Sequence, residues 1–427
     1  MKQTNLGPLQ DGGRVGIIGG GPGGVATAIA IKQGARALGR EARVVIMEGK
    51  QFAGEQHHNQ CAGVLSPPIA DLIERDLKIP FPHALSRSAI TGYILHGARR
   101  EIILDGETEP SVALRRVQFD AYMLNAAREC GVEVLPARVT AFEFHADRVV
   151  IYTENTPREV EVVVGAFGMD EGSGVLFENA VGYRPPLALN SVVTKYHPGE
   201  EGMIAFGNRI HAFLPTSPRI EFGGITPKGN HLTINIAGDS VDADLMSAFL
   251  AMPQVRFSLP NFENAGRFDA NDLRFFKGRF PRGLAHNFFG DRFVMVGDAA
   301  GLVRAFKGKG VTSAIQTGIR AAEVILRDGI SSRAFQNYYR ANADIIDDLP
   351  YGRVMRQLTI TASRFGLMDI VLRAAERDSH LRHALFDAVS AHRPYRDVVR
   401  EGLTRDAMWA MIRSAFKPLN ADDTDLR

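Results

Sequence analysis

Apolar positions in this chain recur with two periods, and the switches between them outline the elements. Between residues 14 and 48, two short β-branched runs, RVGIIGG and ARVVIMEG, bracket the alanine-rich stretch GPGGVATAIAIKQGARALG. Strand, glycine turn, helix and strand in that order predict a βαβ unit and a parallel sheet. From about residue 67 to 107 prolines punctuate short strands; a helix is predicted over 119–130 and further strands over 132–165. Residues 186–285 alternate apolar with polar (NSVVTKYH, RIEFGGIT, HLTINIAG), the mark of an antiparallel sheet with two different faces. The run RFVMVGDAAG then returns to the buried-strand type. After residue 331 nearly everything has helical spacing with arginine on the polar side, and ITASRFGLMDIVLRAAE reads as one amphipathic packing stripe. No internal repeat is visible.

Composition narrows the class. With 427 residues the chain is long enough for two or three domains, and 45% hydrophobic with 23% charged residues is ordinary for a soluble globular protein. A net charge of +2 argues against a nucleic-acid surface. The two cysteines, Cys61 and Cys130, fit a reducing compartment better than a disulfide framework. The polar start MKQTNLGPLQDGGR is not expected to be a secretory signal, and no apolar run is long enough to span a bilayer. A cytoplasmic protein is expected.

Two motifs carry chemistry. In GGGPGG, Gly19, Gly21 and Gly24 form G-x-G-x-x-G, with Gly23 beside them, directly between strand and helix. Glycine is needed there for the tight turn, for backbone approach to a pyrophosphate, and for close helix–strand packing. The helix N-terminus adds unpaired N–H groups and a positive dipole end. Glu48 ends the second strand and is suited to accept hydrogens from a ribose. The second motif is Gly297-Asp298 after a buried strand, followed by AAGLVRAFKGKGV. Asp298 can bond a ribityl hydroxyl or cap a surface turn, and a helix starting at Gly310-Val311 can offer N–H groups to a ring carbonyl. A third stretch, HHNQCAGVLSPP, sets Cys61 close to His57 and His58, but three ligands without a fourth do not make a convincing zinc site. No metal is expected.

A dinucleotide site assembled from both ends of the chain, with β-rich sequence between, resembles the flavoproteins that include the aromatic hydroxylases and the geranylgeranyl reductases. Arg116-Val117-Gln118-Phe119-Asp120 resembles the family's R-x-x-F-D helix start, and Gly165-Ala166-Phe167-Gly168 stands where the family has G-A-D-G. GDAAGLVRAFKGKG is similar to the reductase pattern GDAAG-x-x-x-P-x-x-G-x-G, and Gly301 stands where the hydroxylases usually carry histidine. Cys61-Ala62-Gly63-Val64-Leu65-Ser66-Pro67 looks like the reductases' cysteine-containing loop over the flavin.

The resemblance implies FAD as cofactor, with Cys61, Ala62, Val64, Arg116 and Val139 added to the two motifs as its surroundings. It also implies hydride transfer from reduced flavin to a carbon–carbon double bond of an isoprenoid-like or other apolar substrate, with Cys61 or a neighbouring histidine as proton donor. The electron donor is left between NAD(P)H and a carrier protein such as ferredoxin. Departures are clear. Where the reductases are similar at Y-x-W-x-F-P-K-G, this chain has Phe222-Gly223-Gly224-Ile225-Thr226-Pro227-Lys228-Gly229, with Gly224 and Thr226 replacing two aromatics. Ala305 replaces the flavin-side proline, and Lys307 and Lys309 add charge.

The expected fold is α/β: a discontinuous Rossmann-like FAD-binding domain (12–66, 107–185 and 286–330), an antiparallel β-sheet substrate domain (67–106 and 186–285) and a helical C-terminal region (331–427). Two rivals stay open, an FAD monooxygenase or halogenase and an electron-transfer flavoprotein acting on a quinone. A peripheral membrane contact through an arginine-bearing helix also stays open.

Overall fold

The computed structural model of the protein describes residues 6–50, 61–106, 109–262, 273–304, 310–391 and 393–402. The strand Gly13–Ile18 lies inside a six-stranded sheet, paired in parallel with Ala42–Met47 on one side and Val162–Gly165 on the other. Phe293–Met295 adds in parallel beyond Val162–Gly165, Glu133–Leu135 beyond Ala42–Met47, and Phe289–Gly290 closes one edge antiparallel. Covered on both faces, these strands have no polar side to show, which is why they read as unbroken apolar runs.

The helix Pro22–Ala37 starts with proline in its first turn and is buried along most of its length. It packs on the helix Gly310–Arg327, which comes from the other end of the chain. The contact is backbone to backbone: a Cβ on Gly318 would stand 2.6 Å from the Gly23 carbonyl oxygen and 2.7 Å from Thr27 Oγ1. Small residues on both helices permit this approach, and it draws the two glycine motifs together.

A seven-stranded sheet forms the second layer, in the order Phe276–Pro281, Ala188–Tyr196, Leu232–Gly238, Phe222–Pro227, Arg209–Phe213, Gly92–His96, Glu101–Asp105. It is not wholly antiparallel as expected, because Arg209–Phe213 and Gly92–His96 run parallel. These two strands are distant in sequence, so no hairpin turn constrains their direction. One face of the sheet packs a core that includes Tyr196, Phe213, Ile225, Ile234 and Phe249. Three short strands, Val64–Leu65, Ser111–Leu114 and Ser86–Ile90, join the Cys61 region to the start of a helix at Arg116–Glu129. That helix begins three residues earlier than its apolar pattern indicates.

The C-terminal region is helical, but the predicted single stripe is broken. Gly366 has φ +66, and the chain divides there into Leu349–Arg364 and Met368–Arg377. Met368, Leu372, Ala374 and Ala375 pack against Tyr93, Leu95, Ile102 and Leu104 of the seven-stranded sheet.

A buried histidine pair sits within that sheet. His96 Nε2 and His211 Nδ1 lie 2.9 Å apart, the His96 ring stacks on Phe213 at 4.3 Å, and His96 Nδ1 is 3.1 Å from a Glu101 oxygen. Neutral rings satisfy the contact between the two histidines, with an N–H of one donating to the bare ring nitrogen of the other. Burial, then the His211 charge, holds His96 down to about 3, and burial holds His211 down to about 4. Unfolded histidines bind their protons near pH 6.5, so below that value the unfolded state takes up protons that the folded state refuses. Stability is therefore expected to fall as pH drops from about 6.5 to 5, ahead of most carboxylate titration. Denaturant titrations at half-unit steps measure this, and a flat profile in that window would contradict the assignment.

Candidate functional site

Between the two layers lies a cavity of about 1190 Å³. Each glycine of the first motif has its own reason to be there. Gly19 has φ +107, and a Cβ on it would stand 2.5 Å from the Ala166 carbonyl oxygen. A Cβ on Gly24 would stand 2.1 Å from the Gly19 carbonyl oxygen. Gly21 meets nothing within 4 Å and lines the cavity, so the helix start is left bare toward the space a pyrophosphate needs. Glu48 closes this end: its carboxylate accepts from the Gly20 N–H at 2.8 Å and the Lys50 N–H at 2.7 Å. Two bonds leave it acceptor capacity for ribose hydroxyls.

The second motif completes the opposite wall. Gly297 has φ +58, and its N–H donates to Thr317 Oγ1 at 3.0 Å. Asp298 follows in a 3₁₀ turn, and its Oδ1 would stand 3.5 Å from a Cβ on Gly310, where the helix Gly310–Arg327 begins. The strand-end acid and the helix start thus meet at the cavity. Burial pushes the Asp298 carboxyl up, and the Arg116 guanidinium pulls it back. Arg116 opens the helix Arg116–Glu129 and grips the fully buried Asp120 one turn on, at 3.0 and 3.2 Å. Burial disfavours the Arg116 charge, but Asp120, Cys61 and Asp298 outweigh it and hold the proton firmly.

Of the predicted site residues, Gly19, Gly21, Gly23, Glu48, Cys61, Ala62, Val64, Arg116, Gly297, Asp298, Gly310 and Val311 all line the cavity. Gly24 lies behind it as a packing residue. Val139, at the start of the strand Val139–Phe144, is not among the lining residues. Phe167 takes the position of the family's aspartate, lines the cavity and stacks on Phe177 with centroids 5.4 Å apart. His57, His58, Ala305, Lys307 and Lys309 lie outside the described residues. Among the described residues, no group of three or more histidine, cysteine or acidic side chains is placed to hold a metal ion.

Sequence reading missed the far wall. The seven-stranded sheet faces the cavity with Val193, Ile210, Ala212 and Phe222, and also with Ser191, Thr226 and Asn235. Gly224 lies opposite Asn235 in register, and a Cβ there would press on the Asn235 side chain, its Oδ1 at 3.2 Å. The only advance signal was Gly224 and Thr226 replacing two aromatics.

No family model matches the chain. Curated relatives are geranylgeranyl diphosphate reductase of Oryza sativa subsp. japonica, 24% identical over 73% of this chain, and digeranylgeranylglycerophospholipid reductase 2 of Methanosphaera stadtmanae, 24% identical over 74%. The chain spans 66% of the Oryza protein and 79% of the Methanosphaera one. Among solved structures, a geranylgeranyl bacteriochlorophyll reductase-like protein of Thermoplasma acidophilum matches with TM-score 0.66 and 18% identity, over 91% of this chain and 98% of that one. A flavin-dependent brominase matches with TM-score 0.61 and 17% identity over the same shares. The fold is that of the FAD-dependent oxidoreductases. Within that group the sequence similarity runs to the geranylgeranyl reductases.

The residues of the cavity fit an FAD: bare glycine backbone and Glu48 at one end, Arg116 and Asp298 along its length, the Gly310 helix start at the other. The glycine roles separate experimentally. Gly21→Ala is expected to fold with unchanged thermal stability but to bind FAD at least tenfold more weakly. Gly24→Ala should lose about 2–3 kcal/mol of stability through overpacking. Thermal melts and FAD titration on the two variants check this, and equal losses of stability would refute it.

Proposed function

We propose that this FAD-dependent oxidoreductase passes a hydride from reduced flavin to a carbon–carbon double bond of an isoprenoid-like substrate with a largely apolar body. The observation that carries the reductase reading is Gly301. It has φ +70, and a Cβ there would stand 1.9 Å from the Gly283 carbonyl oxygen. Its backbone therefore refuses the histidine that the hydroxylase pattern carries at this point. Bound FAD would supply the hydride. Cys61, at the cavity wall, would give the proton that the second carbon of the bond needs. The thiolate then recovers a proton from solvent. Ser191, Thr226 and Asn235 give the substrate wall hydrogen-bonding capacity, so an apolar body carrying one polar group fits it better than a bare hydrocarbon chain. Electrons come to the flavin from NAD(P)H or from a carrier such as ferredoxin.

The similarity to a flavin-dependent brominase supports a second reading, oxygen as the oxidant. An electron-transfer module acting on a quinone is the weaker rival, since two cysteines cannot supply the four thiolates of a Cys₄ iron–sulfur cluster. Anaerobic reduction followed by admission of air separates the first two. Slow return of the oxidised flavin band, with oxidation by polyprenyl diphosphates or enones under argon, is the expected result. Return within seconds would move the reading to oxygen chemistry, and failure to bind FAD would sink both.

A lipid-like substrate also fits a peripheral membrane contact. No helix among the described residues is long and apolar enough to cross a membrane. On Leu349–Arg364 and just beyond it, Tyr351, Val354, Leu358, Phe365 and Leu367 are exposed, Phe365 to 75%. The exposed positions from 351 to 367 include Arg353 and Arg364 and no acid, which suits an anionic lipid surface. Cosedimentation with phosphatidylserine vesicles is expected, weakened at least tenfold in Val354→Glu/Leu358→Glu. Binding unchanged by this double variant would remove the contact.

A further inference from the structure

The strand Phe222–Pro227 runs into Lys228, which is 5% exposed. A buried ammonium is costly unless something compensates it. Here its Nζ donates a 2.9 Å hydrogen bond to the backbone carbonyl of Cys61, and among the described residues it has no carboxylate partner. The fit is tight. A Cβ on Gly63 would stand 2.8 Å from Lys228 Nζ and 2.1 Å from the Leu114 carbonyl oxygen. Lys228 therefore lies pressed under residues 61–64, all four of which line the cavity while Lys228 does not. Two residues earlier on the same strand, Thr226 forms part of the substrate wall.

We propose that Lys228 is a positioning residue: through the Cys61 carbonyl it ties the substrate sheet to the 61–64 loop and sets a positive charge behind that loop, which favours the reduced form of the bound flavin. The charge part rests on the FAD reading above; the tie does not. A reduced flavin is anionic, so a nearby cation lowers its free energy more than that of the oxidised ring. The groups facing Lys228 are nearly all basic. Lys195, Arg115 and Arg116 act on it with like charge, His231 and His197 lie near, and among the described residues the Cys61 thiol is the group of opposite tendency. His231 is itself buried with its Nε2 unpartnered among the described residues, held down to about 3 by burial and then by the Lys228 charge. Burial, reinforced by Lys195, Arg116 and Arg115 against Cys61, brings Lys228 down to about 8. Its charge is thus present at pH 7 and lost as pH rises through that value.

The test uses full-length protein with Lys228→Met and Lys228→Arg, and Lys228→Gln in place of the methionine variant if that one fails to fold. In flavin-free protein, amide hydrogen exchange at residues 62–65 is expected to quicken at least tenfold in Lys228→Met and to stay near the parent rate in Lys228→Arg. After FAD loading, the reduction equilibrium of Lys228→Met should shift at least tenfold toward the oxidised form, about 30 mV for a two-electron couple. The parent's potential should drop further above pH 8, a step absent from Lys228→Met. Unchanged exchange overturns the tie, and an unchanged potential overturns the charge role. If the parent protein binds no FAD, the cofactor reading and the charge role fall together, while the exchange rates still decide the tie.

Discussion

Everything in the site hangs on one close contact, the helix Pro22–Ala37 lying against Gly310–Arg327 with Gly23 and Gly318 at the crossing. A methyl group at Gly318 would collide with the carbonyl of Gly23, so this approach tolerates hydrogen alone. It is also what puts the bare backbone of Gly21 on one wall and Asp298 with the Gly310 helix start on another. Loosening it by an ångström would widen the cavity at the point where the two glycine motifs face each other. Packing of this kind is unforgiving because protein interiors have no slack to take up.

Charge in the cavity follows the same economy. Arg116, Asp120, Asp298 and Lys228 are drawn out of water within one small region, and the arginine is answered by an acid one helical turn away. Among the described residues, Lys228 is answered by a carbonyl dipole and a thiol. Buried groups left half-compensated are unusual in a mere scaffold and common where a ligand or an intermediate completes the balance.

Sequence alone revealed the parts of the molecule whose logic is local. The βαβ unit is legible because Gly19, Gly21 and Gly24 sit between two β-branched runs, and the second motif because Gly297-Asp298 follows one. Cys61 was legible too, as a residue beside the cavity. What stayed hidden depends on pairing between distant strands. Ser191, Thr226 and Asn235 come from three strands whose register only the folded sheet sets, so apart from the motif around Thr226 nothing in sequence marks a common wall. The parallel run of Arg209–Phe213 beside Gly92–His96 escaped for the same reason. Pro227-Lys228-Gly229 was conspicuous as a motif, yet the bond from Lys228 to Cys61 spans two layers and has no sequence signature. Gly366 shows a different failure: the apolar period runs straight through it, but a left-handed backbone stops the helix.

Because the two halves of the cradle stand near opposite ends of the chain, the order of synthesis matters. At ordinary translation speeds the ribosome needs on the order of tens of seconds to go from Gly19 to Gly310. Throughout that interval the first βαβ unit has no partner helix for its small-residue face, and Phe293–Met295 is missing from the sheet beside Val162–Gly165. The nascent protein must carry that exposed apolar surface and open strand edge until its last third emerges. Until then, the unpaired strand edge and uncovered helix face are the surfaces most exposed to aggregation.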